Sequence, residues 1–239
     1  MLKSLILSAA AAGLAAGLVT AALQQVTTTP LIVAAEAYED GAAARHHHSA
    51  LPEGVAVATH DPAAIDADPR EWAPADGVER TVMTALATIV LGIGFALALL
   101  GTMVFSGRAI DARTGLAFGA AGFAALTLAP ALGLPPELPG SAAADLAERQ
   151  AWWLFAAVAT ASGLAALLLG RNSALRLLGV GLIAIPHIVG APHPAAFAST
   201  APAELAGHFA AASLVVSAVF WAVLGAASGA AYQRLARSG

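Results

Sequence analysis

Long apolar segments are the feature of this sequence that most restricts its fold. A helix needs about 20 mostly apolar residues to cross the hydrocarbon core of a bilayer. Six segments approach or exceed this length: residues 5–23, 81–105, 115–134, 151–170, 174–189 and 205–230. The sequence therefore predicts an all-α fold, a polytopic membrane helix bundle with six transmembrane helices, or with five.

Two of the six segments decide between these counts. Residues 5–23 follow Lys3 and end in an Ala-Ala-Leu sequence, a pattern that also occurs in signal peptides. The apolar run is longer than the core of such a peptide, which has about 7–15 residues, and this favours a retained helix. Residues 174–189 are short for a span, and Pro186 lies near their end.

Composition excludes several classes of protein. Charged residues make up 11% of the chain, against about 25% in soluble domains. The absence of cysteine excludes disulfides and thiolate metal sites. Because Lys3 is the only lysine, no phosphate-binding loop ending in Gly-Lys can exist, and we expect no nucleotide site. Nothing indicates nucleic acid binding, since no basic patch is interleaved with aromatic residues, and no nucleophile–base motif indicates an enzyme.

Charged residues are sorted by side of the predicted membrane. Lysine and arginine near span ends mark the cytoplasmic side. Seven basic residues share one side: Lys3, Arg108, Arg113, Arg171, Arg176, Arg234 and Arg237. Both termini are then cytoplasmic, and all seven histidines and fourteen of the fifteen acidic residues are extracytoplasmic. Ordinary charge sorting explains part of the acidic face but not the histidines. Because an acidic face concentrates cations, we expect this one to handle a metal ion.

A His- and acid-rich loop, residues 26–80, is predicted to interrupt a single integral membrane domain that covers residues 1–239. Thr29 and Pro30 predict the start of a short helix in this loop, and Gly41 predicts its end.

The candidate metal ligands of the loop are carboxylates and imidazoles: Glu36, Glu39, Asp40, His46, His47 and His48. Glu36 and Asp40 are four residues apart, so they would share a helix face and could chelate a cation or simply be solvated. Three adjacent imidazoles suit Zn, Ni, Cu and Co, although such a run can also arise by chance.

The last extracytoplasmic hairpin contains the second group of candidates. Pro186 cannot donate a backbone hydrogen bond, so we expect the helix to open there, beside His187. Glu204 and His208 are four residues apart on one face of the last span. These three side chains could supply one carboxylate and two imidazoles to a cation. A histidine in a membrane helix can equally bond to a neighbouring helix.

Three further residues are weaker candidates. His193 lies between two prolines and could be an ordinary loop residue. Gln24 and Gln25 close the first span, where their amides could bond across helices or face a polar pathway. The proximity of acidic Glu36 on the same side favours the pathway.

Several short motifs follow one another along the chain: Gln24-Gln25, Pro30-Leu31-Ile32, Glu36-Ala37-Tyr38-Glu39, Trp152-Trp153 and Pro186-His187-Ile188-Val189-Gly190-Ala191-Pro192-His193. In this order they resemble the CbtA family of predicted cobalt transporters. The resemblance implies a bacterial inner-membrane protein of cobalt uptake, linked to cobalamin supply. It also implies a partner, a small single-span B-type subunit with a His-rich end. The family is usually described with five spans.

The leading hypothesis is a membrane subunit for uptake of a divalent transition metal. Only the resemblance selects Co2+, because nitrogen and oxygen ligands bind Ni2+ and Zn2+ at least as well. Two alternatives stay open. One is a membrane accessory protein that binds metal without transporting it. The other is a haem-binding membrane protein with His187 and His208 as axial ligands. No charged residue lies deep inside the second to sixth segments, so a partner could supply the energy coupling.

Overall fold

The computed structural model of the chain describes residues 2–48, 74–75 and 77–237, with side chains of residues 40–48 excepted. The described chain is helical: α1 Leu2–Val26, α2 Thr28–His48, α3 Val78–Phe105, α4 Ala112–Phe123, a π-helical turn Ala124–Leu128, α5 Ala129–Ala131, α6 Leu146–Leu169, α7 Ser173–Val189 and α8 Ala203–Arg237. The predicted all-α, polytopic fold is confirmed.

Five stretches of helix are long and apolar enough to cross a membrane: Leu2–Val26, Val78–Phe105, Ala112–Ala131, Leu146–Leu169 and Ala203–Arg237. Each coincides with a predicted segment. The remaining segment, residues 174–189, also forms an apolar helix, α7, but with only 17 residues. At 1.5 Å per residue, α7 is about 25 Å long, at the short end of what a span requires.

Close helix approaches hold the bundle together. The core between α1, α3 and α8 combines small residues such as Ala9, Ala16 and Ala96 with larger apolar ones. The backbones of α4 and α8 meet at Gly115 and Gly225, where an added Cβ would collide with the opposite carbonyl group. Without a hydrophobic driving force between helices in lipid, such small residues permit the packing contacts that stabilise a membrane bundle. Gly115 and Gly225 are therefore packing positions.

Loop contacts determine the direction of the later helices. Trp152, in the second turn of α6, packs against Gly133 just after α5. The loop before α6 pairs with the loop before α8, since the Ala142 N–H donates to the Ala198 carbonyl at 2.8 Å. The same loops pack on Ala35 of α2 through Leu138 and Ala201. Thus α6 and α8 both begin at the end of the bundle that carries α2, here called the α2 end, and α7 returns the chain to it.

Polar side chains cap the starts of three helices. Asp111, Asp145 and Asn172 each accept a backbone N–H of the following turn, at the starts of α4, α6 and α7. The backbone N–H of Thr114 holds the pKa of Asp111 below its ordinary value, because the hydrogen bond favours the carboxylate.

Two local predictions from helix-ending residues are wrong. α2 begins at Thr28 as the Thr-Pro pair predicts, but it continues through Gly41 to His48. α7 does not open at Pro186 either. It runs on to Val189, ends at Gly190 with a φ of 83°, and buries the proline ring. Near a helix end, the hydrogen bond that proline removes is a small loss, and the buried ring gains packing.

Candidate functional site

The hairpin residues predicted to bind metal lie at the α2 end of the bundle. His187 is in the last turn of α7, while Glu204 and His208 are in the first two turns of α8. His193 lies in the loop between these helices. All four side chains are exposed, so none of them serves as a buried packing residue.

Aromatic rings position two of these histidines. The ring of His187 meets that of Trp152 edge-on, with centroids 6.3 Å apart. Trp152 is 6% exposed, and its indole Nε1–H has no hydrogen-bond partner among the described residues. His193 lies beside Phe197, with ring centroids 5.8 Å apart. His187 is thus held at the edge of the α6–α7 pair.

The structure brings only some of the candidates together. Glu204 and His208 lie one turn apart on α8, as predicted. Within the described chain, α7 packs on α6 and makes no contact with α8, so His187 stands apart from that pair. The described residues accordingly contain no group of three or more His, Cys, Asp or Glu that could hold a metal ion. The haem interpretation requires His187 and His208 to lie on helices that pack together, but α7 and α8 make no contact within the described chain.

The acidic residues of α2 make contacts with other elements. Both carboxylate oxygens of Glu36 accept from the Arg80 guanidinium at the start of α3, at 2.6 and 3.3 Å. Glu39 lies against Gly140, beside Thr200. A metal ion at Glu36 would therefore compete with Arg80. The side chains of Asp40, His46, His47 and His48 lie outside the described residues.

Gln24 lines a cavity between α1, α2, α3 and α8, and Gln25 is half-buried in the last turn of α1. The cavity has a volume of about 330 Å³. Half of its lining residues are apolar, and the other half are polar: Thr20, Gln24, Thr28, Thr88, Ser213 and Ser217. Two of their oxygens, Oγ1 of Thr20 and Oε1 of Gln24, are buried and find no hydrogen-bond partner among the described residues.

Sequence reasoning missed five of these six residues. Threonine and serine in apolar helices commonly donate to a carbonyl of the preceding turn and pass for ordinary helix residues. A usable signal was present in their spacing. Thr20 and Gln24 are four residues apart in the first span, as are Ser213 and Ser217 in the last, which places each pair on one helix face.

Aromatic residues line the part of the cavity farthest from the α2 end. Phe95 and Phe220 line it, each about 25 Å along its helix axis from the first residue. Their rings meet edge-on with centroids 6.2 Å apart, and Trp221 packs against both. The Trp221 Nε1–H donates to Oγ1 of Thr127 at 3.1 Å, inside the π-helical turn. Such turns are often found at functional positions.

A family model covers nearly the whole chain. The model described as "Probable cobalt transporter subunit (CbtA)" matches residues 2–233. The chain belongs to the CbtA family. No curated protein and no solved structure matches it.

The family match and the apolar helices both identify the chain as a membrane protein. The resemblance drawn from the short motifs is confirmed over nearly the full length. The chain is a membrane protein of a family of cobalt transporter subunits, with five apolar helices long enough to span and a shorter sixth. As one subunit of a transporter, it works with other chains on a metal ion that is its substrate.

Proposed function

We propose that this chain is the membrane subunit that admits a divalent metal ion, Co2+, into the cell. The ion is gathered at the α2 end, which faces away from the cytoplasm. One observation supports this most directly. In this chain of the cobalt transporter subunit family, the described imidazoles of His187, His193 and His208 and the Glu204 carboxylate are exposed at the same end of the bundle. The role proposed here is transport, without a catalytic step.

The donor residues act at separate positions in this proposal. Glu204 and His208, one turn apart, offer a carboxylate and an imidazole to the same ion. His187 offers a second position on α7. The acids of α2 and the run His46 to His48 capture the ion before it reaches the bundle. Such sites bind loosely and pass the ion on, as transport requires.

The charge distribution supports the orientation. The basic residues of the opposite end lie at the termini of helices: Lys3, Arg108, Arg113, Arg171, Arg176, Arg234 and Arg237. Positive residues near span ends are retained on the cytoplasmic side. We therefore place both termini in the cytoplasm and the chain in a bacterial inner membrane, where the imported cobalt serves cobalamin synthesis.

Other divalent metals can bind the same ligands, and a partner protein supplies the energy coupling. Imidazole and carboxylate bind Ni2+ and Zn2+ at least as well as Co2+, so both metals should compete for uptake. A small single-span B-type protein with a His-rich end is the proposed partner.

Accumulation of radiolabelled Co2+ by cells tests the proposal. The chain is expressed alone and with the single-span partner, as wild type, as His187→Ala plus His208→Ala, and as Gln150→Ala. Gln150 is an exposed polar residue at the same end and serves as the matched control. At equal membrane levels, we expect the double substitution to lower uptake and the control to leave it unchanged.

The remaining outcomes separate the alternatives. Equal uptake by the double variant and wild type would show that His187 and His208 take no part in cobalt uptake. Binding of Co2+ by the purified wild-type chain without accumulation, even with the partner present, would identify a metal-binding accessory protein instead.

A further inference from the structure

We infer that the groove at the turn between α6 and α7 binds the headgroup of an anionic phospholipid, with the phosphate group held by Arg171 and Arg176. The site goes beyond the proposed function, because it takes no metal ion and uses none of the residues of the α2 end. It therefore stands or falls independently of cobalt uptake.

The groove lies at the level of lipid headgroups. It has a volume of about 340 Å³ and is formed where the chain turns from α6 into α7. Pockets for small ligands commonly have volumes of about 300–1,000 Å³. Because α6 is apolar and long enough to span and ends at Leu169, the turn that follows it lies at a boundary of the bilayer. Headgroups occupy this level on both sides of a membrane, so the site does not depend on which end of the chain faces the cytoplasm.

Two arginines line the groove without an acidic partner. Arg171 lies in the turn itself, and Arg176 lies in the first turn of α7. Neither forms an ion pair within the described chain, and the carboxylate of Asp111, at the same end of the bundle, caps α4. Uncompensated guanidinium groups favour a phosphate, since their planar N–H groups match its oxygens.

Arg176 is held in place before any ligand binds. Its Nε–H donates to the Gly170 carbonyl at 3.3 Å, and its Cγ would lie 3.4 Å from a Cβ added at Gly170. This contact draws the guanidinium back along α7 toward the turn. Its terminal nitrogens have no acceptor among the described residues, so they can donate to a phosphate. A guanidinium fixed in this way loses less conformational freedom when it binds.

The polarity of the groove changes along its length as the polarity of a phospholipid does. Polar residues line it at the turn, whereas Leu167, Leu177 and Val180 line it farther into the span. Val180 lies about 10 Å along the helix axis from Ser173, the first residue of α7. Leu177 and Val180 are more than half exposed, so they offer an apolar surface to an acyl chain. A free phosphate ion would gain nothing from this surface, which favours a lipid as the occupant.

The hairpin of α6 and α7 would be stabilised by such a lipid. Within the described chain α7 packs on α6 alone, and with 17 residues it is short for a span. The polar ends of a short helix are drawn to the headgroup level, and basic pockets at that level bind anionic headgroups. A phosphate bridging Arg171 and Arg176 would hold the start of α7 against the end of α6.

Binding of defined lipids to the purified full chain tests the site. The chain is kept in an uncharged detergent and titrated with phosphatidylglycerol or with zwitterionic phosphatidylcholine of the same acyl chains. Bound lipid is counted by native mass spectrometry. Wild type is compared with Arg171→Gln plus Arg176→Gln and with Arg171→Lys plus Arg176→Lys. The matched control is Arg108→Gln plus Arg113→Gln, which removes the same charge from exposed arginines outside the groove.

We expect wild type to bind one phosphatidylglycerol about 10- to 30-fold more tightly than phosphatidylcholine, since each arginine near a headgroup contributes about a fivefold preference. The glutamine pair should lose this preference, the lysine pair should keep part of it, and the control should keep all of it. Equal affinity of wild type for the two lipids would overturn the site. An equal loss in the control would also overturn it, because the preference would then belong to the basic end as a whole.

Inorganic phosphate, added in large molar excess at constant ionic strength, identifies the source of the phosphate group. We expect it to leave phosphatidylglycerol bound, because the acyl chains make apolar contacts that the free ion lacks. Complete displacement would make the free anion the ligand and overturn the lipid. Equal melting temperatures of the four lipid-free forms would show that the variants are folded. If the glutamine pair does not fold, the comparison of the two lipids on wild type and on the control still decides.

Discussion

At the scale of single residues, protonation competes with metal for the exposed imidazoles. Imidazole binds a metal only when neutral, so metal affinity falls as pH decreases. We expect cobalt uptake to decline when the external pH is lowered from about 7.5 to 5.5, a range that spans ordinary histidine titration. Radiolabelled uptake at constant internal pH measures this. Uptake that is flat across the range in wild type, or an equal decline in His187→Ala plus His208→Ala, would contradict ligation by these histidines.

The ion pair between Glu36 and Arg80 makes a second prediction at this scale. Both side chains are about one-third exposed, so solvent screens the pair, and it contributes about 0.5–1 kcal/mol. If Glu36 binds metal, Arg80→Gln should tighten Co2+ binding about two- to fivefold, because the competing cation is removed. Calorimetry on the purified chain measures the affinity, with Arg149→Gln as control, since Arg149 pairs with Glu137 elsewhere. If the Co2+ affinity of Arg80→Gln equals that of wild type, Glu36 does not bind the metal.

At the scale of helices, the contact between α4 and α8 depends on glycine. A Cβ at Gly115 would meet the backbone carbonyl of Gly225, and backbone cannot move aside as a side chain can. Gly115→Ala should therefore destabilise the bundle by about 1–3 kcal/mol, as overpacking does. Gly94→Ala is the control, because nothing lies within 4 Å of its added Cβ. We expect the control to be neutral or stabilising by up to about 1 kcal/mol. Thermal unfolding in detergent compares them.

The contact between α8 and the π-helical turn makes the other prediction at this scale. Thr127→Val removes the acceptor of the Trp221 Nε1–H, and Trp221 is 4% exposed. A buried donor left unpaired costs about 1–3 kcal/mol, so the melting temperature should fall. Thr160→Val removes a buried hydroxyl that has no partner in the described chain, and it should be neutral or stabilising. Equal melting temperatures for the two variants would show that the hydrogen bond contributes nothing.

The sequence predicted where the helices lie better than it predicted which helices pack against one another. Apolar length alone located every span, because the bilayer sets one requirement that each must meet. The sequence did not indicate that Gly163 would bring α7 against α6, away from His208. Spacing along one helix therefore predicted the Glu204–His208 pair, whereas a ligand set shared between helices depends on packing that no single segment encodes.

The cavity shows the same limit for the candidate site. Gln24 was identified from the sequence because an amide at the end of an apolar span is conspicuous. Its partners Thr20 and Ser217 were not, because threonine and serine are small enough to be tolerated anywhere in a membrane helix. Only the assembled bundle shows that their oxygens face one space and that the Thr20 and Gln24 oxygens lack partners among the described residues.

At the scale of the whole molecule, the number of crossings depends on α7. Five helices alone would place the start of α6 and the start of α8 on opposite sides of the membrane. The loops before these two helices instead pair with each other, through Ala142 and Ala198. We therefore infer that α7 crosses as well despite its 17 residues, with local thinning of the bilayer or flanking polar side chains accommodating the mismatch. Six crossings would leave both termini on one side.

Single cysteines at the two ends of α7 decide this point in the Cys-free chain. Ser173 is exposed at the first residue of α7, and Ala195 is exposed in the loop after it. We expect an impermeant thiol reagent to label Ala195→Cys only in right-side-out vesicles and Ser173→Cys only in inside-out vesicles. A cysteine at Ser106, which precedes α4 at the arginine-rich end, should behave like the one at Ser173. Labelling of Ser173→Cys and Ala195→Cys from the same side would mean that α7 does not cross. The termini would then lie on opposite sides, and the two loops could not pair as they do.

A third outcome concerns orientation. If the two labelling patterns are exchanged, the chain still crosses six times but is inverted. The acidic and imidazole side chains of the α2 end would then face the cytoplasm, and the proposed uptake path would be one for export.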